Sequence, residues 1–183
     1  MEEIKFKEFP KMPRFSREIV ITEKIDGTNA SITITEDGQF LTGSRTRFIT
    51  PEDDNFGFAK WANDNKEELL NLGVGTHFGE GWGSGIQRGY GLEKGLKRFS
   101  LFNTSRWNDI DVRPTCCHVV PELYRGEFIT SAIENALNNL KQFGSVASAG
   151  FMKPEGIVIF HTAGNFGFKK TIEKDEIPKS LVK

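Results

Sequence analysis

The chain has 183 residues, enough for one sizeable core, and its 24 Lys and Arg against 25 Asp and Glu leave a formal net charge of −1. That balance excludes a protein held on nucleic acid by a global basic field, so any such contact must be a local basic groove. Met1-Glu2-Glu3-Ile4-Lys5 has no apolar leader core and no stretch approaches a membrane span, so a soluble, intracellular, cytoplasmic protein is expected.

The 16 Phe and 19 Gly predict a sheet-rich structure with many turns. Residues 4–18 mix charge with Phe6, Phe9, Pro10, Pro13 and Phe15, which suits an irregular arm laid across a core. Alternation begins at Glu18 and runs through Ile19-Val20-Ile21-Thr22 to the polar stretch Glu23-Lys24-Ile25-Asp26-Gly27-Thr28-Asn29, then resumes over Ala30-Ser31-Ile32-Thr33-Ile34. Lys-x-Asp-Gly between two strands has two readings, a solvated hairpin turn or a lysine aimed into a pocket as a nucleophile. Glu36-Asp37-Gly38 turns the chain into Gln39–Arg45, so an antiparallel meander is expected, with Ser44-Arg45-Thr46-Arg47 ending a strand that neighbours Lys24.

Residues 56–72 carry apolar positions at helical intervals, follow the acidic Glu52-Asp53-Asp54 and stop at Gly73. A strand then reaches Glu80 and opens into a glycine-rich loop, where close backbone approach to a ligand is one use for the glycines. His77 reads as a strand residue with a bonded side chain and no catalytic role. Lys97–Asn103 is the next strand, in which Phe102 would by default pack in the core. Cys116-Cys117-His118 lacks zinc-site spacing and reads as strand thiols. Val119–Gly126 is a strand and turn, and Thr130 can cap a helix with an apolar stripe of Ile133, Ala136, Leu137 and Leu140. A small-residue connector, 144–150, precedes two strands, 157–160 and 166–172, joined by a hairpin.

The polar strand-end positions Lys24, Arg45, Glu80, Glu155 and Lys169, with Phe102 between the glutamates, resemble in order and context the covalent nucleotidyltransferases: DNA ligases, RNA ligases and capping enzymes. The matching stretches are Lys24–Gly27, Ser44-Arg45, Phe78-Gly79-Glu80, Leu101-Phe102-Asn103, Glu155–Val158 and Lys169-Lys170. Six in order over residues 19–172 make the resemblance specific where one alone would be weak. Thr28-Asn29 after the glycine, where DNA ligases carry arginine, is similar to the RNA ligase 2-like branch, and 120–128 resembles small phage and bacterial RNA ligase domains.

The resemblance implies an α+β nucleotidyltransferase core of the ATP-grasp-like ligase adenylylation type, antiparallel sheets with flanking helices around a nucleotide cleft, as one domain over 1–183. No C-terminal OB or RNA-binding domain is expected. It implies an ATP-dependent RNA ligase: Lys24 takes AMP from ATP, AMP passes to an RNA 5′-phosphate, and a 3′-hydroxyl displaces it. Alternatives are a binding module with impaired turnover and a minimal DNA ligase. An ordinary lysine, with a pKa near ~10.4, is protonated at neutral pH, so cations, burial or bound metal must favour the free amine. By resemblance Glu23, Ile25, Asn29, Arg45, Glu80, Phe102, Glu155 and Lys169 bind the nucleotide, Phe102 stacking on adenine. Glu155 positions Mg²⁺, with Mn²⁺ as a substitute, and Lys169 and Lys170 join Lys24 in catalysis. The family's last motif is Lys-x-Lys, but the third position here is Thr171, so either Lys170 substitutes or the second lysine is missing. The implied partner is RNA with 5′-phosphate and 3′-hydroxyl ends, DNA or a hybrid being further options, bound by a monomer.

Overall fold

A computed structural model describes residues 5–177. Residues 1–4 and 178–183 lie outside the described residues, and with them most of the N-terminal stretch read above for a leader and both ends of the single-domain expectation. Among the described residues no helix is long and apolar enough to cross a membrane.

Two sheets carry the fold. The first has the antiparallel order β10-β9-β1-β8, from β1 (Glu18–Lys24), β8 (Glu122–Glu127), β9 (Gly156–His161) and β10 (Phe166–Thr171). Strand alternation divides β1 cleanly: Ile19 and Ile21 join Ile157 and Ile159 beneath helix α4 (Thr130–Phe143), which packs Ala132, Ala136, Leu137 and Leu140 on them. Each of the isoleucines and leucines, fully buried, contributes roughly 1.5–3 kcal/mol. The opposite face of the sheet carries Thr22 and Lys24.

The second sheet has the order β4-β3-β2-β5-β6-β7, from β2 (Thr28–Ile34), β3 (Phe40–Gly43), β4 (Phe48–Ile49), β5 (Gly75–Gly83), β6 (Lys97–Leu101) and β7 (Cys117–Val119). It is antiparallel except for the β6–β7 pair. Ala30, Ile32, Ile34, Phe99 and Leu101 bury one face against Phe58, Ala59 and Ala62 of α1 (Phe58–Asp64), together with Leu69 and Leu72. The predicted long helix is broken at Asn65: α2 (Lys66–Leu69) and a 3-10 turn, Leu70–Leu72, follow, and Gly73 ends the run at φ 80°. The expected acidic start is real, because the Asp54 carboxylate accepts the Ala59 and Lys60 N–H groups at 2.8 and 2.9 Å.

Three expectations are corrected. β1 and β2 are not a hairpin: they lie in different sheets, so the meander begins at β2 and residues 25–27 are a crossing between sheets. A hairpin would have put Lys24 beside its own return strand, whereas the crossing frees it to face the space between the sheets. Thr130 opens α4 without capping it, since the extended Ile129 holds the cap position and no side chain bonds there. The arm over 5–17 is irregular as expected but exposed, held down at Phe15, whose ring meets Phe128 at 4.3 Å and whose carbonyl bonds His161.

The chain returns to the first sheet through Val120 and Pro121, and the Glu23 N–H donates to the Pro121 carbonyl at 2.9 Å, so both crossings run side by side. Ile25, Trp82, Tyr90 and Val120 form a buried cluster there. Gly27 passes so close to β5 that a Cβ would lie 2.3 Å from the Gly81 carbonyl and 2.9 Å from Trp82 Cβ. Gly27→Ala should therefore push the crossing off β5 and cost about 1–3 kcal/mol in urea denaturation. Gly38→Ala, in an open turn where a Cβ meets nothing within 4 Å, should cost less despite its positive φ.

Candidate active site

Lys24 is the last residue of β1, and register across β9 pairs it with Gly156. Its ammonium donates to Glu155 Oε2 at 2.7 Å, with side-chain exposures of 22% and 6% for the pair. Glu80 enters from β5 in the other sheet, and its Oε1 accepts the Gly27 N–H at 3.0 Å. Burial pushes the Glu80 carboxyl up to about 7; the Lys24 charge and the Gly27 N–H pull it down, and Glu155 and Asp26 raise it further. Three carboxylates and one ammonium thus share a single electrostatic neighbourhood where the sheets meet.

The crossing is fixed from below. The Asp26 N–H donates to the Tyr90 hydroxyl at 2.9 Å, and the Glu155 backbone bonds the same hydroxyl. Arg88 donates through Nε to Asp26 at 3.1 Å and through Nη1 to the Lys153 carbonyl at 2.9 Å. Arg88 and Tyr90 therefore tie the crossing after Lys24 to the segment that presents Glu155. Sequence reasoning offered close approach to a ligand as one use of the glycine-rich loop and missed both residues. The signal was a lone arginine and tyrosine among glycines that let the chain turn back: Gly85, Gly89 and Gly91 have φ of 77°, 67° and 67°, and Tyr90 itself 51°.

The proposed nucleotide residues divide. Asn29 pairs with Glu80 across β2 and β5, and Ser100 pairs with Glu80 across β5 and β6, so the three share one face. Phe102 follows β6 on that side, 40% exposed, with its N–H on the Phe78 carbonyl at 3.0 Å. The core-packing default for Phe102 is overturned, and an open ring is what stacking requires. Arg45 lies in the β3–β4 turn, exposed and without a hydrogen bond or ion pair among the described residues. Its strand borders β2 and β4 rather than β1, so strand adjacency does not put it beside Lys24.

Glu23 and Ile25 are not open to the cleft through their side chains. Alternation turns Glu23 to the α4 side, where Ser145 Oγ, Val146 N–H and Ala147 N–H donate to its carboxylate at 2.6, 2.8 and 2.9 Å. Burial raises its carboxyl above the ordinary range while those donors pull it back. The small-residue connector is thus a clasp. Ile25 is buried between the sheets.

Register also separates the terminal lysines. Lys169 pairs with Val158, which pairs with Thr22, so Lys169 is exposed on the Lys24 face. Lys170 pairs with Ile157, opposite Glu23, and turns to the other face, where it bonds Asp175 at 3.3 Å. Lys170 is therefore corrected as a catalytic candidate, because adjacent strand residues cannot share a face. Thr171 holds the cleft-facing position in register with Gly156 and Lys24, its N–H on Asp175 at 2.8 Å. Among the described residues no three His, Cys, Asp or Glu gather as a metal cage. Mg²⁺ held by one or two carboxylates and nucleotide phosphates needs none, and the Glu155 carboxylate has the donor chemistry for that role. A groove of about 370 Å³ between α4 and β8, lined by Leu123, Ala132, Ala136 and Leu140, includes none of these residues. His77, bonded to the Gly73 carbonyl at 2.8 Å, is structural as expected.

A family model described as RNA ligase matches residues 17–174. The chain belongs to the RNA ligase family. No curated protein matches the sequence. Solved structures of Naegleria gruberi RNA ligase variants share the RNA ligase fold with it. Two variants with ATP and Mn reach a TM-score of 0.64 at 21% and 22% identity, over 87% of this chain and 51% of theirs. A variant with AMP and Mn gives 0.62 at 22%, over 86% and 50%. The chain spans about half the length of the structures it matches. The α+β core expected from the sequence is thus the RNA ligase fold, and the matched span contains every candidate site residue.

The raised Glu80 carboxyl predicts a pH signature. In the folded state Glu80 holds its proton to about pH 7, while unfolded it releases it near 4.5, so its contribution is present below 4.5 and lost as pH rises through 7. His77 and His118, both lowered by burial, act oppositely over part of this window, so the difference between proteins is the quantity to read. Urea midpoints at pH 5 and 8 should show wild type losing about 2–3 kcal/mol more than Glu80→Gln. Equal losses would show that burial does not hold the proton there. Separately, Tyr90→Phe strands the buried Asp26 N–H and should cost about 1–3 kcal/mol by the same assay.

Proposed function

We propose that this chain is the adenylyltransferase unit of an ATP-dependent RNA ligase, with Lys24 as the nucleophile. The observation that carries the reading is the 2.7 Å contact of Lys24 with Glu155, closed from the opposite sheet by Glu80. The Lys24 amine, once it has given up its proton, attacks the α-phosphorus of ATP. The new N–P bond forms as the bond to the bridging oxygen breaks, and pyrophosphate leaves with that electron pair. The adenylyl group passes to an RNA 5′-phosphate, whose pyrophosphate linkage to AMP is then broken by a 3′-hydroxyl.

The residues divide this work by position. Glu155 holds the Lys24 Nζ in place and is the nearest acceptor for its proton. Lys169, exposed on the same face, meets phosphate charge. Phe102 offers a ring for adenine, and Asn29 and Glu80 offer hydrogen-bonding groups to ribose or phosphate. A divalent cation bound with the nucleotide would supply charge neutralisation at the phosphates, held by Glu155. The same likeness supports reading the chain as one adenylyltransferase domain. The solved relatives carry ATP or AMP with Mn, which supports that choice of nucleotide and metal class.

One observation favours a second reading, a nucleotide-binding module slow in turnover: Thr171, not a lysine, takes the second cleft-facing position of β10. Incubation with α-labelled ATP and Mg²⁺ decides between them. Wild type should become covalently labelled and Lys24→Ala should not. Lys169→Ala should slow labelling at least about tenfold, while Lys170→Ala stays within about twofold, since one lost charge contact to the phosphate is worth a factor of that order. Thr171→Lys should accelerate labelling if the second reading holds. An unlabelled wild type with Mg²⁺ or Mn²⁺ overturns the enzymatic proposal.

A further inference from the structure

Lys5, Lys7, Lys11, Arg14 and Arg17 set five cationic side chains against the single acid Glu8 in the arm over 5–17, within a chain whose net charge is −1. Every residue of this stretch is exposed, and no ion pair among the described residues uses any of the five. Phe6 and Phe9 alternate with these cations and are 94% and 79% exposed. Pro10 and Pro13 hold the backbone extended, so the arm neither coils into a helix nor folds its rings away. Rings left in water between unpaired cations are a poor surface for a globular core. They suit a ligand that is itself a flexible polyanion with flat faces.

The arm is joined to the site by β1. It feeds β1 at Glu18, about 20 Å from Lys24 by strand rise. Along the same face of the sheet, Phe160 pairs with Val20 near that entry and Lys169 pairs with Val158 nearer Lys24, and both are exposed. Cation and ring therefore recur from the arm to the nucleophile.

We infer that residues 5–17 are a grip for single-stranded polynucleotide, holding the strand on its phosphates and unpaired bases while its end lies at Lys24. The inference rests on the ligase reading and adds the substrate segment. Unpaired bases are specified because exposed rings stack only on bases free of a duplex. Backbone contacts without base-edge readout make the grip indifferent to sequence.

The test uses the full chain with a fluorescent, 5′-phosphorylated single-stranded oligoribonucleotide and a blunt duplex of the same sequence. A variant with Lys5, Lys7, Lys11 and Arg14 all changed to alanine should label with ATP as wild type does. It should bind the single strand at least about tenfold more weakly, with a slope of log affinity against log salt shallower by about 3. Phe6→Leu with Phe9→Leu keeps the apolar area and removes the stacking faces, so it too should weaken single-strand binding about tenfold. Unchanged affinity and salt slope in the alanine variant overturn the grip. So does leucine restoring full affinity, the mark of an apolar surface for a protein partner, or equal binding of duplex and single strand by wild type. A wild type that binds the strand through the arm but never labels with ATP leaves the grip standing and overturns the ligase reading.

Discussion

The ion pair between Lys24 and Glu155 is the constraint that organises the molecule. It joins the end of β1 to the residue just before β9, 131 positions away, in a place where both groups are largely out of water. Stability alone does not explain such a pair. Apolar groups of the same volume are often neutral or more stabilising there, while removing one partner leaves a buried charge at a cost of about 3–5 kcal/mol. The surroundings are instead spent on keeping the two chain segments in register: Tyr90 bonds both backbones and Arg88 spans Asp26 and Lys153. The charge pair is what that scaffold is arranged to hold.

Alternation along β1 explains how one short strand serves both fold and chemistry. Glu23 and Lys24 are neighbours in sequence and opposites in space. Glu23 faces α4 and is clasped by Ser145, Val146 and Ala147, which fixes the start of the connector leading to Glu155. Lys24 faces the other sheet. A slip of one residue in the β1–β9 register would exchange the two, burying the ammonium beside α4 and opening the clasp. The buried Ile21 and Ile19, two and four positions before Glu23, make that slip expensive because they would be turned out with it.

Much of this was legible in the sequence, and the misses share one cause. Period-two runs located nearly every strand, and residue order located Lys24, Glu80, Glu155 and Lys169, because spacing along the chain is what a pattern records. Which strands pair is a property of the packed sheets, so β1 and β2 read as a hairpin although Gly27 crosses between layers against β5. Glu23 and Ile25 were expected by resemblance to contact nucleotide, and a pattern of residue order does not record that their side chains turn away from the cleft. Arg88, Tyr90 and Ser145 carried no motif. Their roles exist through partners 62 to 122 positions distant, beyond any local pattern.

The same alternation bears on how phosphate charge is met. With Lys170 turned to the far face and drawn to Asp175, β10 offers the cleft one ammonium, at Lys169, and a hydroxyl and N–H at Thr171 that already have partners in Asp175 and the Glu173 carbonyl. Three carboxyl groups, Asp26, Glu80 and Glu155, stand in the same neighbourhood, with Asp26 answered by Arg88. With Lys24 set against Glu155 and Arg88 against Asp26, Lys169 is offset by Glu80, so the cleft has no net positive charge to meet a polyphosphate unless some of that acid is neutralised. The raised Glu80 carboxyl is one way the fold already does so, since a proton kept at near-neutral pH removes a charge and turns an acceptor into a donor. The net charge of the cleft therefore turns on protonation at Glu80, where a second lysine on β10 would have added positive charge from the protein itself.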